Sequence, residues 1–214
     1  GIYARFEALA TGNAKTSVKS RLTVGGKNGT IIVLTGQDKL VCTAGDTEKT
    51  LTKNGNDYTG TFSGDAGNTE IVFAFERGDE DEAAPNSYVT LPDPFTIAGV
   101  SATDTISRAT DLTVTWEPST TFDTTTWKLN GDCLFETNGT VPTDGTLTLS
   151  GSDYDTTPSA DQAATKDDDD SENCQATLCI ERKRKGTLDP AFAEEEGGEI
   201  YAIQRRCVEF DSTP

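Results

Sequence analysis

Histidine and methionine are both absent from this chain of 214 residues, which contains five cysteines. The lack of histidine removes the commonest general base and a common zinc ligand. No two cysteines have Cys-x-x-Cys spacing, so a zinc site made of cysteines alone is disfavoured. We therefore expect neither a zinc site nor a thiolate that histidine activates.

Long apolar runs and positive charge are also scarce. No run approaches the roughly 20 apolar residues of a membrane-spanning helix, so we predict no transmembrane segment. The formal net charge is −18, from 36 acidic and 18 basic residues. Nucleic acids need basic surfaces, so we predict that nucleic acid is not a partner. The acidic balance is typical of solubility in salty water and also of cation binding.

The chain begins Gly1-Ile2-Tyr3, without an initiator methionine. We expect a processed product from which a signal segment has been removed. Any lipid anchor is then expected upstream of Gly1.

Short β-prone segments separated by turn signals recur along the chain. Residues 2–9 and 17–24 alternate between apolar and polar types, and residues 30–34 are typical of a buried strand. Asn54-Gly55-Asn56 is a hairpin-turn signal. With 34% hydrophobic residues, the composition suits small sandwiches in which only alternate residues face inward. The pattern predicts an all-β chain of two sandwich domains.

A stiff Pro92-Asp93-Pro94 segment marks the predicted domain boundary, because proline fixes φ and removes ladder donors. We predict one domain over residues 1–92 and a second over 93–214, with an acidic insertion at 152–173. Short matches such as Phe75-Glu76-Arg77 and Ile180-Glu181-Arg182 favour an internal duplication. The alternative is that Thr- and Gly-rich β domains share such short matches by composition.

The segment DLTVTWEP, from Asp111 to Pro118, resembles the second strand of fibronectin type III and related immunoglobulin-like domains, with Trp116 in the core. The resemblance implies two tandem immunoglobulin-like antiparallel β-sandwich domains. More broadly, the segments LTGQDKL, APNSYVTLPDPF, DLTVTW and RKGTLDPAF resemble uncharacterised surface lipoproteins of marine gammaproteobacteria. That resemblance implies an exported, lipid-anchored protein at the cell surface, associated with the outer membrane, and no activity.

Four of the five cysteines lie in the second predicted domain: Cys133, Cys174, Cys179 and Cys207. In an exported protein they are expected to form disulfides. We favour Cys179–Cys207, because a hairpin brings these residues onto neighbouring strands, and Cys133–Cys174 would then join the ends of the insertion. The remaining Cys42 is interpreted as a small buried hydrophobic residue. The alternative is a thiol that forms an intermolecular disulfide.

An acidic run lies in the insertion, and its main interpretation is a solvated loop, since clustered like charges repel. The alternative is a calcium site, because calcium takes six to eight oxygen ligands. The residues of that site would be Asp167, Asp168, Asp169, Asp170 and Glu172. We predict no other cofactor.

A basic patch lies on the C-terminal hairpin and is formed by Arg182, Lys183, Arg184, Lys185, Arg205 and Arg206. Local pairing with residues 194–196 or with the acidic run in the insertion is one interpretation. The other is docking, in which the basic hairpin meets an acidic surface of a second copy or of a protein partner.

An enzyme is the least favoured class of function. Catalysis without histidine would depend on paired carboxylates, a Ser-Lys pair or a metal, and the acidic residues cluster at turns. We therefore predict a non-enzymatic surface or structural protein that assembles with itself or docks on an outer-membrane component. The alternative is an extracellular module that binds carbohydrate or mediates calcium-dependent adhesion. Tyr154 and Tyr201 are its candidate exposed aromatic residues, whereas Trp116 and Trp127 are expected in the core.

Overall fold

The computed structural model describes residues 1–78, 83–119, 123–131, 134, 136–141, 145–151, 173–193 and 197–214. Two compact units emerge from the contacts within the chain. Unit 1 comprises Gly1–Pro94 and Arg182–Arg205, and unit 2 comprises Phe95–Glu181 and Arg206–Pro214. No helix among the described residues is long and apolar enough to cross a membrane.

Strands dominate the described residues. The first nine are β1 (Ile2–Ala10), β2 (Lys15–Val24), β3 (Thr30–Ile31), β4 (Lys39–Ala44), β5 (Thr47–Thr50), β6 (Thr52–Asn54), β7 (Asp57–Ser63), β8 (Glu70–Glu76) and β9 (Ala84–Thr90). Six more follow: β10 (Thr96–Ala98), β11 (Thr105–Ser107), β12 (Leu112–Glu117), β13 (Thr124–Gly131), β14 (Thr137–Thr140) and β15 (Thr146–Leu149). The chain ends with β16 (Cys174–Lys185), the short helix α1 (Pro190–Ala193) and β17 (Gly198–Thr213).

Two sheets enclose the core of unit 1. One contains, in order, the first part of β17, then β1, β2, β7 and β6, and the other has the order β5-β4-β8-β9. Alternate residues of β1 are buried, as expected for a strand with one face on a core. The ring of Phe6 stacks on Phe73 of the opposite sheet with centroids 4.9 Å apart. Phe192 of α1 packs edge-on against Phe6 at 5.7 Å.

A second pair of sheets encloses the core of unit 2. One contains β14, β13, β16 and the last part of β17, with β11 beside β17, and the other has the order β10-β12-β15. Trp116 and Val114 of β12 share this core with Leu178 of β16. Each unit is thus a β-sandwich, and the predicted all-β fold of two tandem immunoglobulin-like sandwich domains is confirmed.

The unit boundaries differ from the predicted domain ranges in two places, by the two residues Asp93 and Pro94 and by one longer segment. Arg182–Arg205 belongs to unit 1, although the sequence assigned it to the second domain, 93–214. The reason is strand pairing across the whole chain, because β17 lies parallel to β1, from Ala4 opposite Gly198 to Ala10 opposite Gln204. A second parallel pair joins β11 to β17. These two pairs are exceptions to the antiparallel pairing that was predicted.

Local turn and strand predictions had mixed outcomes. The Asn54-Gly55-Asn56 signal is confirmed, because β6 and β7 form a hairpin with Asn54 opposite Asp57 and Gly55 at a φ of 58°. The buried strand expected at residues 30–34 is wrong, since β3 covers only Thr30–Ile31 and Val33 is 56% exposed. A hydrophobic run of that length suits a partly covered sheet edge equally well.

Candidate functional site

Two of the four cysteines in the second predicted domain are paired as the sequence predicted. Cys179 and Cys207 form a disulfide between β16 and β17, with a sequence separation of 28. Cys174 is also disulfide-bonded. Its expected partner, Cys133, lies outside the described residues, so the Cys133–Cys174 pairing stays a prediction.

Cys42 is fully buried on β4 and belongs to the core of unit 1. Burial raises the pKa of its thiol to about 12, which keeps it protonated near neutral pH. The position contradicts the intermolecular thiol that was the alternative, because a partner's sulfur cannot reach a side chain without exposed surface. It matches the main interpretation, a small buried hydrophobic residue.

The basic hairpin does not present its cations on one surface. Successive side chains of β16 point to opposite faces of the sheet, so Arg182 is fully buried while Lys183 and Lys185 are exposed. Arg182 donates a hydrogen bond to the Asp93 carbonyl at 3.2 Å. Arg184 donates to Thr90 at 3.0 Å. Arg182 and Arg184 thus tie β16 to neighbouring chain segments, and docking through the remaining cations of the patch stays a prediction.

The predicted basic patch also includes two residues of β17, Arg205 and Arg206. The Arg206 guanidinium lies 5.6 Å from the ring centre of Phe95, a cation–π distance. Arg205 and Arg206 are both half-buried. Neither guanidinium group is fully exposed to solvent, as a charge that attracts a distant partner would have to be.

Three sequence-based hypotheses lie outside the described residues. These are the calcium site at Asp167, Asp168, Asp169, Asp170 and Glu172, the acidic partners at 194–196, and the exposed Tyr154. Among the residues that are described, no group of three or more His, Cys, Asp or Glu side chains is placed to hold a metal ion.

A different charged surface lies on unit 1, on the side of β1 and β2 that faces away from the core. Tyr3, Arg5 and Glu7 alternate with three buried residues of β1, and Lys19 and Arg21 alternate with buried residues of β2. We call this surface the charged face. It also includes Lys27, Asn28, Asp57, Lys183, Glu199 and Tyr201.

Strand register sets which charges meet on the charged face. Arg5 lies opposite Arg21 across the β1–β2 pair and opposite Glu199 across the β1–β17 pair. Arg5 Nε is 3.3 Å from a Glu199 oxygen. On the far side, Arg21 Nε donates to Asp57 at 2.7 Å. Each arginine is thus tied on its outer side to a carboxylate.

Tyr201, on β17, lies at the centre of the charged face. Its hydroxyl accepts hydrogen bonds from Arg5 and donates one to Glu7 at 2.8 Å. Burial raises the pKa of its phenol to about 12, and the hydrogen bond from Arg5 partly opposes that rise. The hydrogen bond to Tyr201 in turn raises the pKa of Arg5.

The ring of Tyr201 has little open surface. The residue is 5% exposed, and the Lys183 ammonium lies 3.7 Å from the ring centre. The expectation that Tyr201 is an exposed aromatic residue is therefore wrong, because a cation from the neighbouring strand covers the ring.

A shallow pocket of about 70 Å³ opens between β1, β2 and the loop that follows β2. Its lining residues are Tyr3, Arg5, Arg21, Thr23, Lys27 and Asn28. Gly25 and Gly26 both have φ near 85°, a conformation that favours glycine, and they turn the chain so that Lys27 and Asn28 reach this position. We call it the β1–β2 pocket. A smaller one of about 30 Å³ lies beside it, lined by Arg5, Glu7, Lys19, Arg21 and Asp57.

Sequence reasoning did not single out Arg5, Arg21 or Lys27. The alternation in IYARFEALA and KTSVKSRLTV, taken with the hairpin turn between the two segments, places Arg5 and Arg21 on one face. Their pairing with Glu199 could not be found this way, because it depends on a strand almost two hundred residues later.

No protein-family model matches the chain, and no curated protein sequence matches it. Among solved structures, a segment of two fibronectin type III domains from chicken tenascin has 13% identity and a TM-score of 0.26, covering 94% of this chain and 97% of that one. The FN1-FN3 domains of chicken CNTN1 have 10% identity and a TM-score of 0.22, covering 96% of this chain and 65% of that one.

A further similar structure is that of a 1.5-MDa bacterial ice-binding adhesin, described for host cell surface retention, with 10% identity and a TM-score of 0.25. The match covers 97% of this chain and 63% of that one. At these TM-scores none of the likenesses carries an argument about the chain, so we base the architecture on the strand order and the two cores described above.

Proposed function

We propose that this is an exported, non-enzymatic surface or structural protein that docks on an outer-membrane component or on copies of itself. The charged face of unit 1 carries the proposal. Its cations and carboxylates are held in a fixed order by three paired strands, and several stay substantially exposed, including Lys27 at 57% of its side chain. Ordered surface charges of this kind select partners and fix their register.

One further observation supports export. The Cys179–Cys207 disulfide suits an oxidising compartment, since cytosolic proteins keep their thiols reduced. The proposal includes a cell-surface location and a lipid anchor, which the resemblance to surface lipoproteins implies.

Sedimentation velocity over a range of concentrations, at low and high salt, tests the self-association part of the proposal. We expect oligomers at low salt that dissociate at high salt, because exposed charges are screened there. The double variant Lys19→Gln/Lys183→Gln, which removes two cations of the charged face, should dissociate at lower salt than the wild type. Lys53→Gln on β6 is the matched control, since it removes an exposed cation outside the charged face.

Docking on another component is tested by binding of the purified protein to outer-membrane vesicles. Binding that Lys19→Gln/Lys183→Gln weakens and Lys53→Gln leaves unchanged supports the proposal. A chain that stays monomeric at all concentrations, ignores the vesicles and binds a glycan array would contradict it and favour a carbohydrate-binding module.

A further inference from the structure

The β1–β2 pocket concentrates positive charge in a strongly acidic protein. Its six lining residues include three cations and no carboxylate, whereas the chain as a whole has a net charge of −18. Acidic residues outnumber basic ones two to one in the sequence, as 36 against 18. A lining of this composition therefore needs a reason of its own.

Arg5 and Arg21 face each other directly across antiparallel strands. Like charges at such positions destabilise a sheet. Three carboxylates reduce this repulsion, Glu7 and Glu199 beside Arg5 and Asp57 beside Arg21. None of these carboxylates is among the residues that line the β1–β2 pocket.

Donor groups remain available on both arginines. The contacts of Arg21 use Nε, and those of Arg5 use Nε and Nη2. Within the described part of the chain, Nη1 of Arg5 and both terminal nitrogens of Arg21 have no hydrogen-bond or ion-pair partner. Tyr3 and Asn28 add a hydroxyl and an amide to the lining.

We propose that the β1–β2 pocket binds one carboxylate of an aspartate or glutamate side chain on a protein partner. Planar guanidinium groups bind carboxylates through paired hydrogen bonds. Lys27 also lines the pocket, although its ammonium is paired with Glu199 at 3.3 Å. A bound carboxylate also relieves the repulsion between Arg5 and Arg21. The inference rests on the proposed function for the class of partner, and it names the chemistry that the partner must carry.

A protein carboxylate fits better than the carboxylate of an acidic sugar. Sugar-binding sites present an open aromatic ring to the pyranose, and neither tyrosine ring of the charged face is fully open. The ring of Tyr201 is covered by Lys183 at 3.7 Å, and Tyr3, which lines the pocket, is half-buried.

The test uses the full chain, labelled with ¹⁵N and titrated with a capped Gly/Ser peptide that contains one glutamate. The same peptide with glutamine is the control probe. We expect saturable shifts of the amide signals of Tyr3, Arg5, Arg21 and Lys27 with the glutamate peptide, and no saturable shifts with the glutamine peptide. An oligouronate at equal carboxylate concentration serves as the sugar arm.

Variants locate the binding. Arg21→Gln should weaken binding of the glutamate peptide about tenfold or more, because it removes a hydrogen-bonded charge partner. Lys27→Gln, at a largely exposed position, should weaken it without affecting the fold. Lys15→Gln is the matched control, since it removes an exposed cation from the same face of β2, three alternate positions from Arg21, and should leave binding unchanged.

Equal weakening by Lys15→Gln and Lys27→Gln would show general charge attraction and overturn the proposal. Tighter binding of the oligouronate than of the glutamate peptide would also overturn it. Failure here is separable from failure of the proposed function. A chain that associates or binds vesicles but ignores the glutamate peptide retains the proposed function and loses this pocket assignment.

Discussion

The two units of the chain are stabilised in different ways. Unit 1 contains a single cysteine, Cys42, kept reduced in a core that stacks Phe6 on Phe73 and adds Phe192. Unit 2 has a core around Trp116 and includes the Cys179–Cys207 disulfide, besides the disulfide-bonded Cys174. Two sandwiches in one chain thus rely on aromatic packing in one case and on covalent cross-links in the other.

The two units are therefore expected to be destabilised by different changes. A cross-link stabilises mainly by restricting the unfolded chain, so unit 2 should respond to reduction. A packed aromatic core has no such dependence, and unit 1 should respond to loss of side-chain volume. Both tryptophans, Trp116 and Trp127, lie in unit 2, so tryptophan fluorescence follows that unit while circular dichroism follows both.

The largest expected effect is that of Phe73→Ala in unit 1. Removal of a fully buried ring should lower the free energy of unfolding by about 3–5 kcal/mol. Urea unfolding followed by circular dichroism measures it. Phe73→Leu, which keeps most of the volume, should cost less. An equal loss of unfolding free energy in both variants would show that the lost volume is not the source, because both variants remove the ring that stacks on Phe6.

The next effect is loss of the disulfide in unit 2. For a sequence separation of 28, the double variant Cys179→Ser/Cys207→Ser should lose about 3–4 kcal/mol through greater freedom of the unfolded chain. The tryptophan fluorescence transition in urea is the measurement. An unchanged midpoint would refute the idea that unit 2 depends on its cross-link.

Cys42 should give a pH-dependent effect in unit 1. Because its thiol has a pKa of about 12 in the folded protein and about 8.5 in an unfolded chain, the unfolded state releases the proton first. Stability is therefore fully present below the unfolded pKa and is lost as the pH rises toward 12. Cys42→Ala should lose stability less steeply in that range, as measured by urea midpoints at several pH values.

A reactivity measurement provides the control for Cys42. The native protein should not react with a thiol reagent, whereas the protein in urea should react at one site. Rapid labelling of the native chain would contradict the buried position and restore the intermolecular thiol as a hypothesis.

The smallest effects are expected at exposed ion pairs, where the two units should not differ. Lys39 pairs with Glu76 at 2.9 Å in unit 1, and Lys128 pairs with Glu136 at 2.6 Å in unit 2. Exposed pairs contribute little net stability. Lys39→Gln and Lys128→Gln should therefore leave both urea midpoints within experimental error of the wild type. A clear loss in one unit alone would show that surface charge also distinguishes the two.

Local signals predicted much of the fold. Alternation in residues 2–9 and 17–24 predicted strands that the structure extends to Ile2–Ala10 and Lys15–Val24. The hairpin reasoning predicted the Cys179–Cys207 disulfide, because that pair depends on two neighbouring strands. The exposure of the basic hairpin was not predictable from charge alone, since the burial of Arg182 depends on what covers each face of β16.

Strand character, the single cysteine of the first half and the alternation that puts Arg5 and Arg21 on one face all follow from the sequence. The return of β17 to lie parallel to β1 is visible in the folded chain alone, and it moves Arg182–Arg205 into unit 1 and places Glu199 and Tyr201 beside Arg5. Alternation within a strand is a local property. The choice of a neighbour for a strand depends on long-range pairing and on the core that the pairing buries.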